Sequence, residues 1–347
     1  MDFDYNTILE KIEKLNKALS CTYDAKTIFT LEQDLKMLEN ILESFNTPET
    51  NNPPKDYKTT YQSLKLYFND MDFFFEDIQK FYSLTTKKMF NVPSLTPKVL
   101  TQNDLSILTH DFYTSLNPLF RELFRIVSKN SYIHFEENPD LNYFGEMYFL
   151  RYTKESFIKI NRELTIQDFF SLVHEYAHAI NHFLNPQCSD SKNLYFCEII
   201  SELTELLAAN YYEKNVHDGE GIIYKANDFN ENVLIAREIR AFLKLMEKEQ
   251  ESGIKFQNPN TRKIIYKNSL HNQIYLTAYL FVIEFYQLFK NNPIWALKIL
   301  HGVLTTDFQK PEVFYNEIKE LGIIPNSSFA DFYTSLKEDV LSLNLHK

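Results

Sequence analysis

Two histidines separated by three residues, with a glutamate directly after the first, are the part of the sequence that most directly indicates a chemistry. They are His174, Glu175 and His178, in the segment His-Glu-Tyr-Ala-His. Side chains four positions apart on an α-helix lie on one face about one turn apart, so both imidazoles could bind one metal ion. The glutamate could then act as general base on a water beside that metal, an arrangement typical of zinc peptidases.

The surrounding sequence predicts the helix that would hold these side chains. Apolar residues recur there at helical spacing, namely Phe169, Leu172, Val173, Tyr176 and Ile180. Thr165, followed three residues later by Asp168, resembles a capping box and predicts the start of the helix, and Pro186 predicts its end. A solvent-exposed helix face that happens to carry two histidines is the alternative. A metal site additionally requires a third ligand.

Three carboxylates in the next predicted helix could supply that ligand. Glu198, Glu202 and Glu205 fall at positions i, i+4 and i+7, on one face between apolar flanks, which indicates a cation nearby. We expect Glu198 to be the third zinc ligand. Glu205 or Glu202 could accept the free ring N–H of a ligating histidine and fix its tautomer. An acidic stripe exposed to solvent is the alternative.

These residues resemble the M3 peptidases, the family of thimet oligopeptidase and oligoendopeptidase F. The segment Glu-Ile-Ile-Ser-Glu-Leu-Thr-Glu, which begins at Glu198, matches the family's Glu-x-x-Ser-x-x-x-Glu pattern, and the run that leads into His174 resembles the family's strand and metal helix. The resemblance covers roughly residues 100–347 and is specific over residues 156–207. It implies a mainly α, zincin-like (gluzincin) catalytic domain that holds one Zn²⁺ ion, with a small β-hairpin or sheet beside the His-Glu-x-x-His helix.

The sequence departs from the family pattern at two places near the metal ligands. Ala177 stands where the family has glycine, and because alanine is also small we expect zinc binding to survive. The interval between the two metal-binding segments is a few residues shorter than in oligoendopeptidases, which leaves Glu198 or Glu202 as the third ligand. The positions of Ser201 and Glu205 favour Glu198, and a shorter loop costs little free energy.

The composition argues against several other classes of function. The 347 residues carry a net charge of −11 without a concentrated basic patch, so we expect no nucleic-acid partner. No Rossmann or P-loop pattern is present. The longest apolar run, Ile274 to Ile283, is too short to span a bilayer, and the acidic N-terminus does not resemble a signal peptide. Three cysteines form no disulfide framework, which fits a reducing, cytoplasmic location.

Helical patterns predominate along the chain and predict two domains. Three helices are predicted in the first part, at residues 5–19, 24–45 and 56–90. The stretch 91–101 contains Pro93 and Pro97 and indicates a boundary. We therefore predict an N-terminal helical lobe at residues 1–95 and an M3-like metallopeptidase catalytic domain at residues 96–347. The lobe is short for the family, so the substrate channel implied by the resemblance could be shallow or open on one side.

Residues 143–161 are the best candidate for β-structure. Met147–Tyr152 and Phe157–Ile160 are two short runs rich in β-prone residues. An edge strand beside a zinc helix would let an extended peptide add as a further strand through backbone hydrogen bonds. A hairpin that only covers the core is the alternative.

A further group of polar side chains lies on a helix predicted nearer the C-terminus. His271, Tyr275 and Tyr279 follow one another at four-residue intervals and so share a face. In M3 enzymes a histidine and several tyrosines of the corresponding region donate hydrogen bonds to the oxyanion, and the resemblance implies that role here. The family's glycine turn is absent, with Val282 near its position. Aromatic residues at this spacing also occur in cores, which is the alternative.

The sequence therefore predicts a zinc-dependent metalloendopeptidase, an oligopeptidase that hydrolyses short unstructured peptides by a zinc-activated water with Glu175 as general base. Short peptides are the expected partners, with no nucleic acid and no membrane. Two alternatives stay open: a zinc protease of narrow specificity for one protein target, and a catalytically weak, peptide-binding relative. The sequence does not predict the oligomeric state.

Overall fold

The computed structural model describes residues 3–45, 77, 80, 89–138, 144–186, 194–252, 269–305, 311–325 and 328–343. Over these residues the protein is mainly helical with one three-stranded sheet, which confirms the predicted fold class. The chain forms two compact units, Met1–Thr50 with Leu95–Ser189, and Asn51–Ser94 with Asp190–Lys347. The lobe at residues 1–95 and the catalytic domain at residues 96–347 stay predictions.

The described part of the first unit consists of helices around a small sheet. Its elements are α1 (Tyr5–Ser20), α2 (Ala25–Ser44), α3 (Gln102–Leu116), α4 (Pro118–Lys129), β1 (Ser131–Glu136), β2 (Gly145–Leu150), β3 (Glu155–Asn161) and α5 (Gln167–Leu184). The first two helices occupy the predicted ranges. Each begins after an aspartate, Asp4 and Asp24, whose carboxylate accepts a backbone hydrogen bond from the third residue on. Their apolar sides form one core with Leu150 and Phe157 of the sheet.

The sheet has the strand order β1-β3-β2, with β1 parallel and β2 antiparallel to β3. Strands β2 and β3 confirm the predicted β-structure, and β2 lies at an edge of the described sheet. The turn that joins them is held by Asp34 of α2, whose carboxylate oxygens accept hydrogen bonds from the backbone N–H groups of Arg151 (2.9 Å) and Tyr152 (2.8 Å). The sequence analysis missed β1, although Tyr132, Ile133 and Phe135 are β-prone.

Helix α5, which carries the metal motif, is buried along most of its length. It ends at Leu184 before Asn185 and Pro186, as predicted. The predicted capping box at its start is formed only in part: the Thr165 hydroxyl accepts a hydrogen bond from the backbone N–H of Gln167 (3.1 Å), but the N-cap residue is Ile166, which has no side-chain cap. The Asp168 carboxylate instead accepts hydrogen bonds from Arg162 Nε (3.0 Å) and from the backbone N–H of Glu163 (2.8 Å). The carboxylate therefore binds the segment after β3.

The second unit is helical throughout its described residues. Its elements are α6 (Leu194–Val216), α7 (Glu220–Ser252), α8 (Ser269–Asn291), α9 (Pro293–Thr305), α10 (Pro311–Glu320) and α11 (Phe329–Leu343). Gly221 lies in the first turn of α7. Close packing requires glycine there, because a β-carbon at Gly221 would lie 2.3 Å from the backbone oxygen of Ala209 in α6.

Three further sequence expectations concern the helix at residues 56–90, the cysteines and membrane-spanning helices. The predicted helix at residues 56–90 lies almost entirely outside the described residues; Asp77 and Lys80 are helical. Cys197 is disulfide-bonded and Cys21 is a free, exposed thiol, which differs from the expectation of a chain without disulfides. Among the described helices, none is long and apolar enough to cross a membrane.

Candidate metal centre

The two motif histidines lie side by side on helix α5. His174 is buried and His178 partly buried, and their Nε2 atoms are 3.0 Å apart. The helix is fixed just before them, because the hydroxyl of the buried Tyr113 donates a hydrogen bond to the carbonyl of Val173 (2.8 Å). One turn of helix thus directs two imidazole nitrogens to the same place, as the four-residue spacing predicted.

Glu175, the predicted general base, is also buried, at 5% exposure. Its carboxylate lies against the backbone of Gly145, the first residue of edge strand β2. A general base must lie within hydrogen-bond reach of the water or substrate proton that it removes. The position beside an edge strand is therefore suitable for a general base.

The predicted third ligand lies on helix α6. Glu198 is 8% exposed, and one of its carboxylate oxygens accepts a hydrogen bond from the Ser201 hydroxyl (3.2 Å). Ser201 is fully buried and also bonds the Glu198 carbonyl (3.1 Å). The serine of the Glu-x-x-Ser pattern therefore limits the rotamers of the glutamate three residues before it.

Two sets of side chains in the described residues could hold a metal ion. In each set the ligand atoms all lie within 4.8 Å of one another; the sets are His174 with His178 and Glu198, and His174 with Glu202 and Glu205. The first is the predicted ligand set, and the second contains both carboxylates considered as partners of a histidine ligand.

The first set fits zinc by its donor atoms and by its spacing. Two nitrogens and one carboxylate oxygen are a common catalytic zinc ligand set, with a fourth position left for water or substrate. Two Zn–N bonds of about 2.0–2.1 Å at a tetrahedral angle would place the nitrogens about 3.3 Å apart. The Nε2 atoms of His174 and His178, 3.0 Å apart, are close to that distance.

A buried acidic residue that the sequence analysis did not single out lies beside Glu205. Burial raises the pKa of the Asp228 carboxyl well above its usual range, and the negative charge of Glu205 raises it further. Asn232 donates a hydrogen bond to one carboxyl oxygen of Asp228 (3.1 Å). No motif includes Asp228; its position one turn before Asn232 on α7 gives no signal in the sequence.

The three residues predicted to stabilise an oxyanion have different surroundings. Tyr279 is fully buried, and its hydroxyl lies near Asp228 without reaching standard hydrogen-bond geometry. Burial raises the pKa of Tyr279 well above 10, and the negative charge of Asp228 raises it further. Tyr275, one turn earlier on α8, is partly exposed. The side chain of His271 lies outside the described part of the structure. The catalytic role of all three stays a prediction.

Comparison with known proteins gives matches among solved structures alone. The sequence matches no family model and no curated protein. PZ peptidase A with an inhibitor aligns with a TM-score of 0.53 at 16% identity, over 72% of this chain and 50% of that chain. A structure assigned as an oligoendopeptidase F from Bacillus anthracis strain Ames aligns with a TM-score of 0.50 at 13% identity, over 98% and 64%. A third, also assigned as an oligoendopeptidase F, has a TM-score of 0.53 at 14% identity, over 95% and 66%.

These likenesses concern the fold. At 13% to 16% identity the chain shares with these structures a fold that is mainly helical with a small sheet. The chain spans 50% to 66% of the length of the three structures. The remainder of each of those proteins has no counterpart in the alignment with this chain.

Proposed function

We propose that this protein is a zinc-dependent metalloendopeptidase that hydrolyses short unstructured peptides. The observation that carries the proposal is the convergence of ligand atoms from His174, His178 and Glu198 within 4.8 Å, with Glu175 on the same helix turn as the histidines. The peptidase fold of the structural relatives supports it.

Each of these residues would have its own role in the reaction. His174, His178 and Glu198 would hold one Zn²⁺ ion, which as a Lewis acid polarises the scissile carbonyl and makes water a stronger acid. Glu175 takes a proton from the attacking water and later delivers it to the leaving amine nitrogen. Glu205, or Glu202, orients a ligating histidine by accepting its free ring N–H.

Two further parts of the proposal concern the substrate. Tyr275, Tyr279 and His271 are proposed to donate hydrogen bonds to the oxyanion, which would lower the barrier by a few kcal/mol. Strand β2, an edge strand among the described strands, is proposed to pair with the backbone of an extended peptide. Pairing through the backbone depends little on side-chain identity and suits unstructured peptides of varied sequence.

Metal analysis with a peptide assay tests the proposal. The purified protein is analysed for metal content and incubated with a mixture of quenched fluorescent peptides, with and without a chelator. We expect one zinc per chain, cleavage that stops with chelator and resumes with Zn²⁺, and no cleavage by a Glu175→Gln variant that still binds zinc. Cleavage by Glu175→Gln at the wild-type rate would disprove the proposed mechanism.

The same assay separates the two alternatives. A protease with one protein target would leave most of the peptide mixture intact and cut a narrow subset. A peptide-binding relative would bind zinc and peptides but cleave none, in the wild type as in Glu175→Gln. The replacement of glycine by Ala177 and the missing glycine turn near Val282 are the observations that favour the latter.

A further inference from the structure

The first residue of strand β2 is a glycine although its backbone does not require one. Gly145 is not among the residues with a positive φ, so any L-amino acid could adopt its conformation. Glycine inside a strand weakens the strand and marks a place where another group approaches closely. The close approach here is that of Glu175: a β-carbon on Gly145 would lie 2.6 Å from Glu175 Oε1, 2.9 Å from Cγ and 3.1 Å from Cδ.

The remainder of β2 shows that this contact belongs to one side of the strand. Side chains alternate along a strand, so Gly145, Met147 and Phe149 share one side. Phe149 stacks on His182 of α5 at a ring distance of 5.9 Å, which places this side against the helix. Leu150, on the other side, lies in the core formed with α1 and α2. On the side of β2 that faces helix α5, glycine therefore stands at the position next to Glu175.

The strand cannot easily move away from the glutamate. Gly145 is paired with Ile160 of β3, and the carbonyl before it, of Phe144, accepts a hydrogen bond from the backbone N–H of Asn161 (2.9 Å). The side chain of Asn161 in turn makes two hydrogen bonds with the backbone of Asn138, of 3.0 and 3.1 Å. The backbone of Glu175 is equally fixed, in the middle of the buried helix α5. Only the glutamate side chain can yield.

We infer that Gly145 is a positioning residue for the general base: its missing side chain leaves the space in which the Glu175 carboxylate lies. This inference rests on the proposed function for its catalytic meaning and on the structure for the contact itself. A methyl group at residue 145 would rotate the carboxylate away and leave the metal ligands in place. Because the end of a glutamate side chain is flexible, the fold would change little while the reaction geometry would change considerably.

The test is Gly145→Ala, with Gly302→Ala as matched control because a β-carbon on Gly302 meets nothing within 4 Å. For Gly145→Ala we expect kcat to fall on the order of 100-fold, since a displacement of about 1 Å can cost that much. KM, zinc content and the thermal unfolding midpoint should stay near the wild-type values. Gly302→Ala should leave kcat, KM and zinc content unchanged and should not lower the midpoint, since alanine favours helix α9 more than glycine does. If kcat for Gly145→Ala stays within about twofold of the wild-type value, residue 145 does not position the general base and the inference is overturned.

A double variant and a crystal structure make the test specific. Because the effect passes through the carboxylate of residue 175, Gly145→Ala should lower kcat much less in a Glu175→Asp background than in the wild type. A crystal structure of metal-free Gly145→Ala should show the carboxylate displaced from its wild-type position. An unmoved carboxylate overturns the inference, whatever the activity. A wild type that cleaves no peptide would refute the proposed function instead, and the crystal structure would still decide the contact.

Discussion

At the scale of single residues, the third metal ligand is an assignment that two substitutions can decide. If Glu198 is the ligand, Glu198→Ala should lower the affinity for Zn²⁺ by more than about 100-fold. Glu202→Ala should cost no more than the roughly 10–100-fold typical of a residue that only supports a ligand. Competition with a chromophoric chelator measures both affinities. If Glu202→Ala is the variant that loses zinc, the ligand is Glu202 and the shortened interval between the segments has moved it by one helical turn.

A second residue-scale prediction concerns the ionisation of Asp228. Burial raises the pKa of this carboxyl in the folded protein, so the folded state retains a proton that the unfolded chain releases near pH 4. The contribution of Asp228 to stability is therefore present in full below the unfolded pKa and is lost as pH rises through the folded pKa. Asp228→Asn keeps the shape without the titration.

We accordingly expect the stability of the wild type, relative to Asp228→Asn, to decrease as pH is raised from 4 toward neutrality. Urea unfolding of both proteins at several pH values measures the difference. Glu312→Gln, at an exposed acidic residue of α10, is the control and should not change the pH dependence. A difference between wild type and Asp228→Asn that is independent of pH would show that Asp228 titrates normally.

At the scale of secondary-structure elements, Asp34 connects helix α2 to the turn between β2 and β3. Asp34→Ala would leave the N–H groups of Arg151 and Tyr152 without their acceptors. We expect the free energy of unfolding to fall by about 1.5–3 kcal/mol, the contribution typical of a hydrogen bond to a charged group. Chemical denaturation measures it, with Glu32→Ala on the exposed side of the same helix as control. Equal stabilities of the two variants would contradict the role of Asp34.

The start of helix α5 shows how an element can be predicted correctly for a reason that holds only in part. The spacing Thr165 to Asp168 suggested a cap, and the helix does begin at Gln167. The Asp168 carboxylate binds Arg162 and the backbone of Glu163 instead, an ion pair with the segment that leaves β3. Local sequence signals the helix boundary, but the Arg162 guanidinium competes successfully for the carboxylate, because a hydrogen bond between two ionised groups is stronger than one from a neutral backbone N–H.

At the scale of the whole molecule, a bound zinc ion should stabilise the folded state. A ligand that binds only the folded protein adds RT ln(1 + [L]/Kd), about 4 kcal/mol at 1,000 times Kd. We expect a chelator to lower the thermal unfolding midpoint and added Zn²⁺ to restore it, whereas Mg²⁺, which prefers oxygen ligands, should not. Calorimetry measures this, and Glu198→Ala should abolish the zinc response. If neither chelator nor zinc changes the unfolding midpoint of the wild type, the folded protein does not bind zinc as proposed.

Much of the candidate site could be predicted from the sequence because helical periodicity alone places side chains on one face. The spacings of His174, Glu175 and His178, and of Glu198 and Ser201, fix which groups within a helix can meet, and the structure has them on α5 and α6 as the spacing requires. The mainly helical fold and the pair β2 and β3 follow from the same kind of local pattern.

Contacts between residues far apart in the chain were decided only by the tertiary structure. The contact of Gly145 with Glu175, the burial of Asp228 near Glu205 and the parallel pairing of β1 with β3 leave no periodic trace in the sequence. Such contacts depend on how separate elements pack. Periodicity describes one element at a time, so the sequence determined the chemistry of the candidate ligands and the packing decided what surrounds the proposed base.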